Sequence, residues 1–115
     1  MIINHRRNRF KGGNSKNYLK SLVAERDNIR EFNNLELDHI VPFCISKNNK
    51  LTNLQLLSKE IHRQKSTADF KILKELRKEG YYEKITHYSV ELLRPQKEVI
   101  NRFIELRNKN NKKNR

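Results

Sequence analysis

A single cysteine, Cys44, is all the thiol that the 115 residues offer. One thiol can close no intrachain disulfide and can form no cysteine-rich zinc site, so stability must come from packing, helped at most by a bound metal. Long apolar runs are missing as well. No stretch approaches the roughly 18 apolar residues that cross a bilayer, and the polar, Asn-rich start lacks the apolar run of a signal peptide. These absences predict a soluble, intracellular protein, in the cytoplasm or an organelle, with no membrane partner. Acid is scarce in one place above all: residues 1–24 hold Arg6, Arg7, Arg9, Lys11, Lys16 and Lys20 and no Asp or Glu.

What is present is positive charge, with 26 Lys and Arg against 13 Asp and Glu and a formal net charge of +13. Most of the excess sits at the ends, because Arg107, Lys109, Lys112, Lys113 and Arg115 repeat the acid-free pattern of the start. The middle is nearly balanced and reads as a folded body carrying basic arms. A surface this positive attracts polyanions, of which nucleic acid is the commonest; the plainer alternative is that the arms keep the chain soluble. The length allows one domain around one modest core. We expect a flexible basic arm over 1–14, a single domain over 15–107 and a basic tail over 108–115.

Along the chain, Leu19, Leu22, Val23 and Arg26 share one helical face, with Asn14 or Ser15 as a cap, and predict a helix over about 15–28. Residues 35–41 partly alternate and predict a strand that Pro42 stops. A polar loop over 46–53 leads to a second short strand at 54–57, and the two strands suggest an antiparallel hairpin. From Ser58 the period becomes helical through Ile61, Lys65, Ala68, Ile72 and Leu76, with Gly80 as the stop. Residues 81–90 fit helix or extended chain equally. Pro95 opens a last helix whose stripe is Val99, Ile100, Phe103 and Leu106. Cys44, between Phe43 and Ile45, is expected to be a small buried apolar residue, and Tyr81, Tyr82 and Tyr88 are expected to pack over the long helix.

Polar residues stand where a core would reject them. Asp38 and His39 interrupt the apolar run 37–41, Asn53 lies at the mouth of the second strand, and His62 lies one turn into the helix. A carboxylate and an imidazole brought together across strand and helix offer two metal ligands and leave positions open for water and phosphate, so Asp38 and His62 are the expected ligands. Such a sparse set favours Mg²⁺, with Mn²⁺ or Zn²⁺ as alternatives. An imidazole titrating near neutrality can take a proton from attacking water, so His39 is the expected general base. Asn53 is expected to be a turn residue bonding nearby backbone. Taken singly each of these has a bland reading: a strand-end Asp-His pair as a hydrogen-bonded turn, His62 as a surface helix residue.

Together, Leu37-Asp38-His39-Ile40-Val41-Pro42, Asn53-Leu54-Gln55-Leu56-Leu57 and His62-Arg63-Gln64-Lys65-Ser66 resemble the three blocks of the HNH endonuclease motif. The resemblance covers residues 37–66 and implies an α+β domain with a ββα-metal core and flanking N- and C-terminal helices. It also implies Asp38 and His62 as metal ligands, His39 as general base, Asn53 as a loop-fixing residue, and Lys65 as a basic group facing phosphate. The flanking zinc-binding cysteines of many members are absent, and Ser66 stands where some relatives carry a further histidine. The expected activity is metal-dependent hydrolysis of phosphodiesters in DNA, most simply double-stranded, with Arg6, Arg7, Arg9, Arg63, Lys65 and the tail bases on the backbone. The alternatives are a non-catalytic basic nucleic-acid-binding protein, or the nuclease subunit of a larger mobile-element or intron-encoded system. One tension stands out: strand neighbours point to opposite faces, so the strand is expected to be twisted or distorted where Asp38 and His39 must serve one phosphate.

Overall fold

The computed structural model describes residues 16–86 and 89–113. The expected arm over 1–14, with Arg6, Arg7 and Arg9, and the residues His87 and Tyr88 lie outside them.

The chain is α+β. Helix α1 (Lys16–Arg26) is followed by strand β1 (Leu35–His39), a short helix α2 (Phe43–Ser46), a 3₁₀ turn (Leu51–Asn53) and strand β2 (Leu54–Ser58). The long helix α3 (Lys59–Lys78), the hairpin strands β3 (Tyr82–Thr86) and β4 (Ser89–Leu92) and the last helix α4 (Gln96–Lys113) complete it. None of the helices among the described residues is long and apolar enough to cross a membrane.

The termini of these elements follow from local chemistry. Asn28, at φ 57°, takes the left-handed position that ends α1, and the Ile29 amide closes back on the Ala24 carbonyl at 2.8 Å. Ser58 caps α3 by accepting from the Ile61 amide at 3.2 Å. Gly80, at φ 86°, provides the left-handed stop expected of it. Pro95 precedes α4, and its carbonyl accepts from the Glu98 and Val99 amides. Helix α4 runs on to Lys113, so the stretch expected as a basic tail is helical over 108–113.

Strands β1 and β2 pair antiparallel, with Asp38 opposite Gln55 and His39 opposite Leu54. Alternation gives this hairpin two unlike faces. Leu37, Leu54 and Leu56 join Leu19, Val23 and Ala24 of α1 in one buried cluster. Glu36, Asp38 and Gln55 fall on the other face, toward α3. A second cluster joins α2, α3, α4 and the second hairpin through Ile45, Leu73, Leu76, Tyr82, Val99 and Phe103. Cys44 and Tyr82 are buried there as expected, and the Tyr82 hydroxyl donates to the Leu73 carbonyl at 2.6 Å.

Three sequence readings are sharpened or corrected. The stretch read as helix or extended chain is extended in its described strands, β3 (Tyr82–Thr86) and β4 (Ser89–Leu92). Ile61 is 49% exposed and Ala68 is also exposed, so the inward face of the first half of α3 is polar, made by His62, Lys65 and Asp69 at spacings of three and four. Of the twist or distortion expected in β1, a bulge is excluded, because its register with β2 is regular through His39.

Candidate active site

The polar face of the first hairpin and the polar half of α3 meet around Asp38, which is 7% exposed. Its Oδ1 lies 3.3 Å from His62 Nε2. Its Oδ2 lies 3.1 Å from the Lys65 ammonium and accepts from the Gln55 amide at 2.9 Å. The two expected metal ligands are therefore neighbours, supplied by β1 and by the first turn of α3.

Behind His62 stands Glu36, two residues before Asp38 on the same strand face, with its Oε1 2.7 Å from His62 Nδ1. The hydrogen bond from His62 holds the Glu36 carboxyl below its usual range, with burial opposing and the charges of His62, Lys59 and Lys16 assisting. A ring that donates its Nδ1 proton to Glu36 turns the Nε2 lone pair of its neutral form toward Asp38 Oδ1. Two acceptors facing each other over 3.3 Å need something positive between them, either a ring proton or a cation. Two ligands at right angles around a cation, each about 2.1–2.2 Å from it, stand about 3 Å apart, so the pair suits a divalent metal. Among the described residues no cluster of three or more His, Cys, Asp or Glu side chains offers a fuller cage. The protein's donor set is thus two groups, which suits an ion that keeps most of its water.

His39 ends β1 and is buried, its ring tilted against Phe43 with centroids 5.3 Å apart and its Nε2 donating to Asn49 Oδ1 at 2.7 Å. Asp38 and His39 both border one cavity between the hairpin end and α3, so it is the end of the strand, and no bulge, that serves both side chains.

Asn53 fixes the chain just beyond His39. Its carbonyl accepts from the Ile40 amide at 2.8 Å, its side-chain oxygen accepts from the Val41 amide at 2.9 Å, and its Nδ2 donates to the carbonyls of Val41 and Asn48. This is the loop-bonding geometry read from the sequence, with every donor of the amide used in the buried interior.

Lys65 is turned inward. Its ammonium reaches Asp38 Oδ2, donates to the His39 carbonyl at 3.0 Å and to Asp69 Oδ2 at 2.6 Å, so each of its three protons has an oxygen. In this conformation it braces the site and would have to release a partner to meet phosphate. Arg107, counted with the tail bases in the sequence, is likewise structural: it donates to the Ile40 carbonyl at 2.7 Å and to Asp69 Oδ1 at 3.0 Å. Arg63 lines a wide groove of about 890 Å³ that Gln55, Lys65, Asp69, Lys71 and Asn110 also line.

Sequence reasoning missed Glu36, Asn49, Gln55 and Asp69. Glu36 carried a signal, since an acid two residues before Asp38 shares its strand face. Gln55 did too, as the polar residue in Leu54-Gln55-Leu56-Leu57, and Asp69 lies seven residues after His62 on one helix face. Asn49 stood in a polar loop with nothing to distinguish it.

Residues 23–68, which include the first hairpin and the first half of α3, match the family model described as HNH endonuclease. No curated protein and no solved structure matches the chain. An HNH endonuclease segment implies a nuclease acting on nucleic acid with a divalent metal.

Proposed function

We propose that the protein hydrolyses phosphodiester bonds in DNA, with His39 as general base and a divalent cation, Mg²⁺ by preference, between Asp38 and His62. The observation that carries the reading is the 3.3 Å approach of Asp38 Oδ1 to His62 Nε2, with Glu36 bonded behind the ring and His39 next in the strand. Zn²⁺ would suit the same donors less well, because two protein ligands fall short of its usual three or four, whereas Mn²⁺, octahedral like Mg²⁺, could replace it. When bound, the cation neutralises charge gathering on the phosphate and stabilises the departing 3′ oxygen.

The chain's own residues do the rest. His39, held through Nε2 by Asn49 and through the following backbone by Asn53, takes up the proton that water releases as it attacks phosphorus. Glu36 keeps the His62 ring in one tautomer and orientation, and Gln55 and Lys65 keep the Asp38 carboxylate from rotating. Arg63 and the arginines Arg6, Arg7 and Arg9 contact the sugar-phosphate backbone of double-stranded DNA, where they position the strand without reading sequence. Lys65 acts on the phosphate only through its share of local charge.

The test is plasmid cleavage with Mg²⁺, Mn²⁺, Zn²⁺ or chelator, beside His39→Ala. Cleavage should require metal, and the variant should be slower by about 10²- to 10⁴-fold, the usual worth of a positioned base. A plasmid left equally intact by both proteins with every metal would leave a basic nucleic-acid-binding protein in place of a nuclease. Equal cutting by both would remove His39 from the mechanism.

A further inference from the structure

A cavity of about 240 Å³ opens beside His39, on the flank of α3 that carries Ser66 and Phe70. Asp38 and His39 line it, Phe43, Phe70 and Leu73 supply apolar wall, and Ser66 is among its lining residues. Lys65 and Asp69 line it as well, so the hollow continues from the candidate site itself. Its aromatic wall is the part that binding a phosphate leaves unused, and that wall calls for its own occupant.

Phe70 singles out what that occupant is. It is 54% exposed and takes no part in either buried cluster, and the Lys74 ammonium lies 4.9 Å from its ring centroid. One exposed aromatic is ordinary on a protein surface. One that walls a cavity shared with a candidate general base, under a neighbouring cation, in a chain of net charge +13, is a platform for a flat ring carried on a polyanion. The volume is smaller than the roughly 300–1,000 Å³ of sites that enclose whole drug-sized ligands, so it takes one ring system and excludes a base pair.

We propose that this cavity receives a single unstacked base of the strand being cut, lying against Phe70, so that the preferred substrate is DNA that is unpaired beside the scissile bond. The inference rests on the nuclease reading above and deepens it by naming the state of the substrate. A duplex must first extrude that base and lose its pairing and stacking, whereas an unpaired strand, a mismatch or a flap presents it ready. Double-stranded DNA is then cut mainly where it opens.

The experiment uses short single-stranded DNA carrying 2-aminopurine at successive positions, bound to full-length His39→Ala protein so that cleavage does not interfere. Fluorescence should be quenched at one position, where the analogue stacks. In the same background Phe70→Ala should abolish the quenching and weaken binding by about 5- to 150-fold, the loss of one stacked base, while Phe70→Tyr retains both. With His39 intact, Phe70→Ala should raise KM for the unpaired strand with little change in kcat, and the wild type should show higher kcat/KM on unpaired than on paired DNA. Because Phe70 is exposed, thermal melting should match the parent, which separates lost stacking from lost folding. Phe70→Ala that binds and quenches like its parent overturns the proposal, even where the wild type cleaves DNA. Quenching that is present and lost with Phe70, in a protein that cleaves nothing, sinks the nuclease reading and leaves the cavity's ligand in place.

Discussion

The two halves of α3 obey the same helical period and do opposite work. In the second half Ile72, Leu73 and Leu76 point inward and meet Val99 and Phe103 of α4 in the larger core cluster. In the first half the inward positions are His62, Lys65 and Asp69, facing a hairpin surface made of Glu36, Asp38 and Gln55. Partly buried charges are costly unless paired, and here each has a named partner within hydrogen-bonding reach. One half of the helix is an anchor, and the other half is a bracket held out by that anchor over the end of β1. The contrast predicts that damage to the anchor costs stability and damage to the bracket costs chemistry.

The largest effect should come from Leu76→Ala, in a side chain that is fully buried. Chemical denaturation should show a loss of about 2–5 kcal/mol, with activity per folded molecule unchanged. A stable Leu76→Ala protein with impaired turnover would break the division between the halves. On the other side, Glu36→Ala removes the partner of His62 Nδ1 and leaves both proposed ligands in place. The metal concentration for half-maximal cleavage should rise by about 10- to 100-fold, while the melting temperature stays close to that of the wild type. An unchanged metal requirement would mean that Glu36 has no part in orienting the ring.

The smallest effect tests the far end of the helix. Arg102 of α4 grips both carboxylate oxygens of Glu79, just beyond α3, at 2.7 Å each. The hydrogen bond from Arg102 lowers the Glu79 pKa below its ordinary 4.5, against burial, which raises it, while the charges of Arg102 and Lys109 lower it further. Since folding lowers this pKa, the pair's stabilisation is whole above the unfolded carboxyl's value and fades as pH falls through the folded one. Glu79→Gln should therefore cost at most about 1 kcal/mol at neutral pH, and its difference from the wild type should shrink in denaturation series taken below about pH 4.5. A gap that persists in acid would assign the loss to packing.

The anchor was easier to read from the sequence than the bracket. Val99, Phe103 and Leu106 announce α4 by period alone, and Ser58 and Gly80 frame α3 through capping chemistry that depends on a few neighbouring residues. The segment 81–90 was not legible because its alternating stretches are short and no Asn-Gly or Asp-Gly pair marks the turn. Within the site, the residues whose chemistry is unusual for their position, Asp38, His39, Asn53 and His62, stood out. Their supports did not, because Gln55 meets Asp38 only through strand register and Arg107 meets Ile40 only after the chain has doubled back across the fold. Arg107 illustrates the limit: composition placed it among loose cations, and folding gave it two oxygen partners.

That same arginine bears on where a working unit can be cut from the chain. The segment matching the endonuclease family stops at residue 68, one position short of Asp69, while one of the contacts that steady the backbone just after His39, the hydrogen bond to the Ile40 carbonyl, arrives from Arg107. A fragment ending before Arg107 would keep the proposed ligands, base and loop-fixing amide, yet the outgoing end of β1 would lose one of its clasps and the Asp69 carboxylate one of its two cations. Excising the matching segment therefore does not excise the whole candidate site: the last helix belongs to it by mechanical connection through Arg107, although it supplies neither a proposed ligand nor the proposed base.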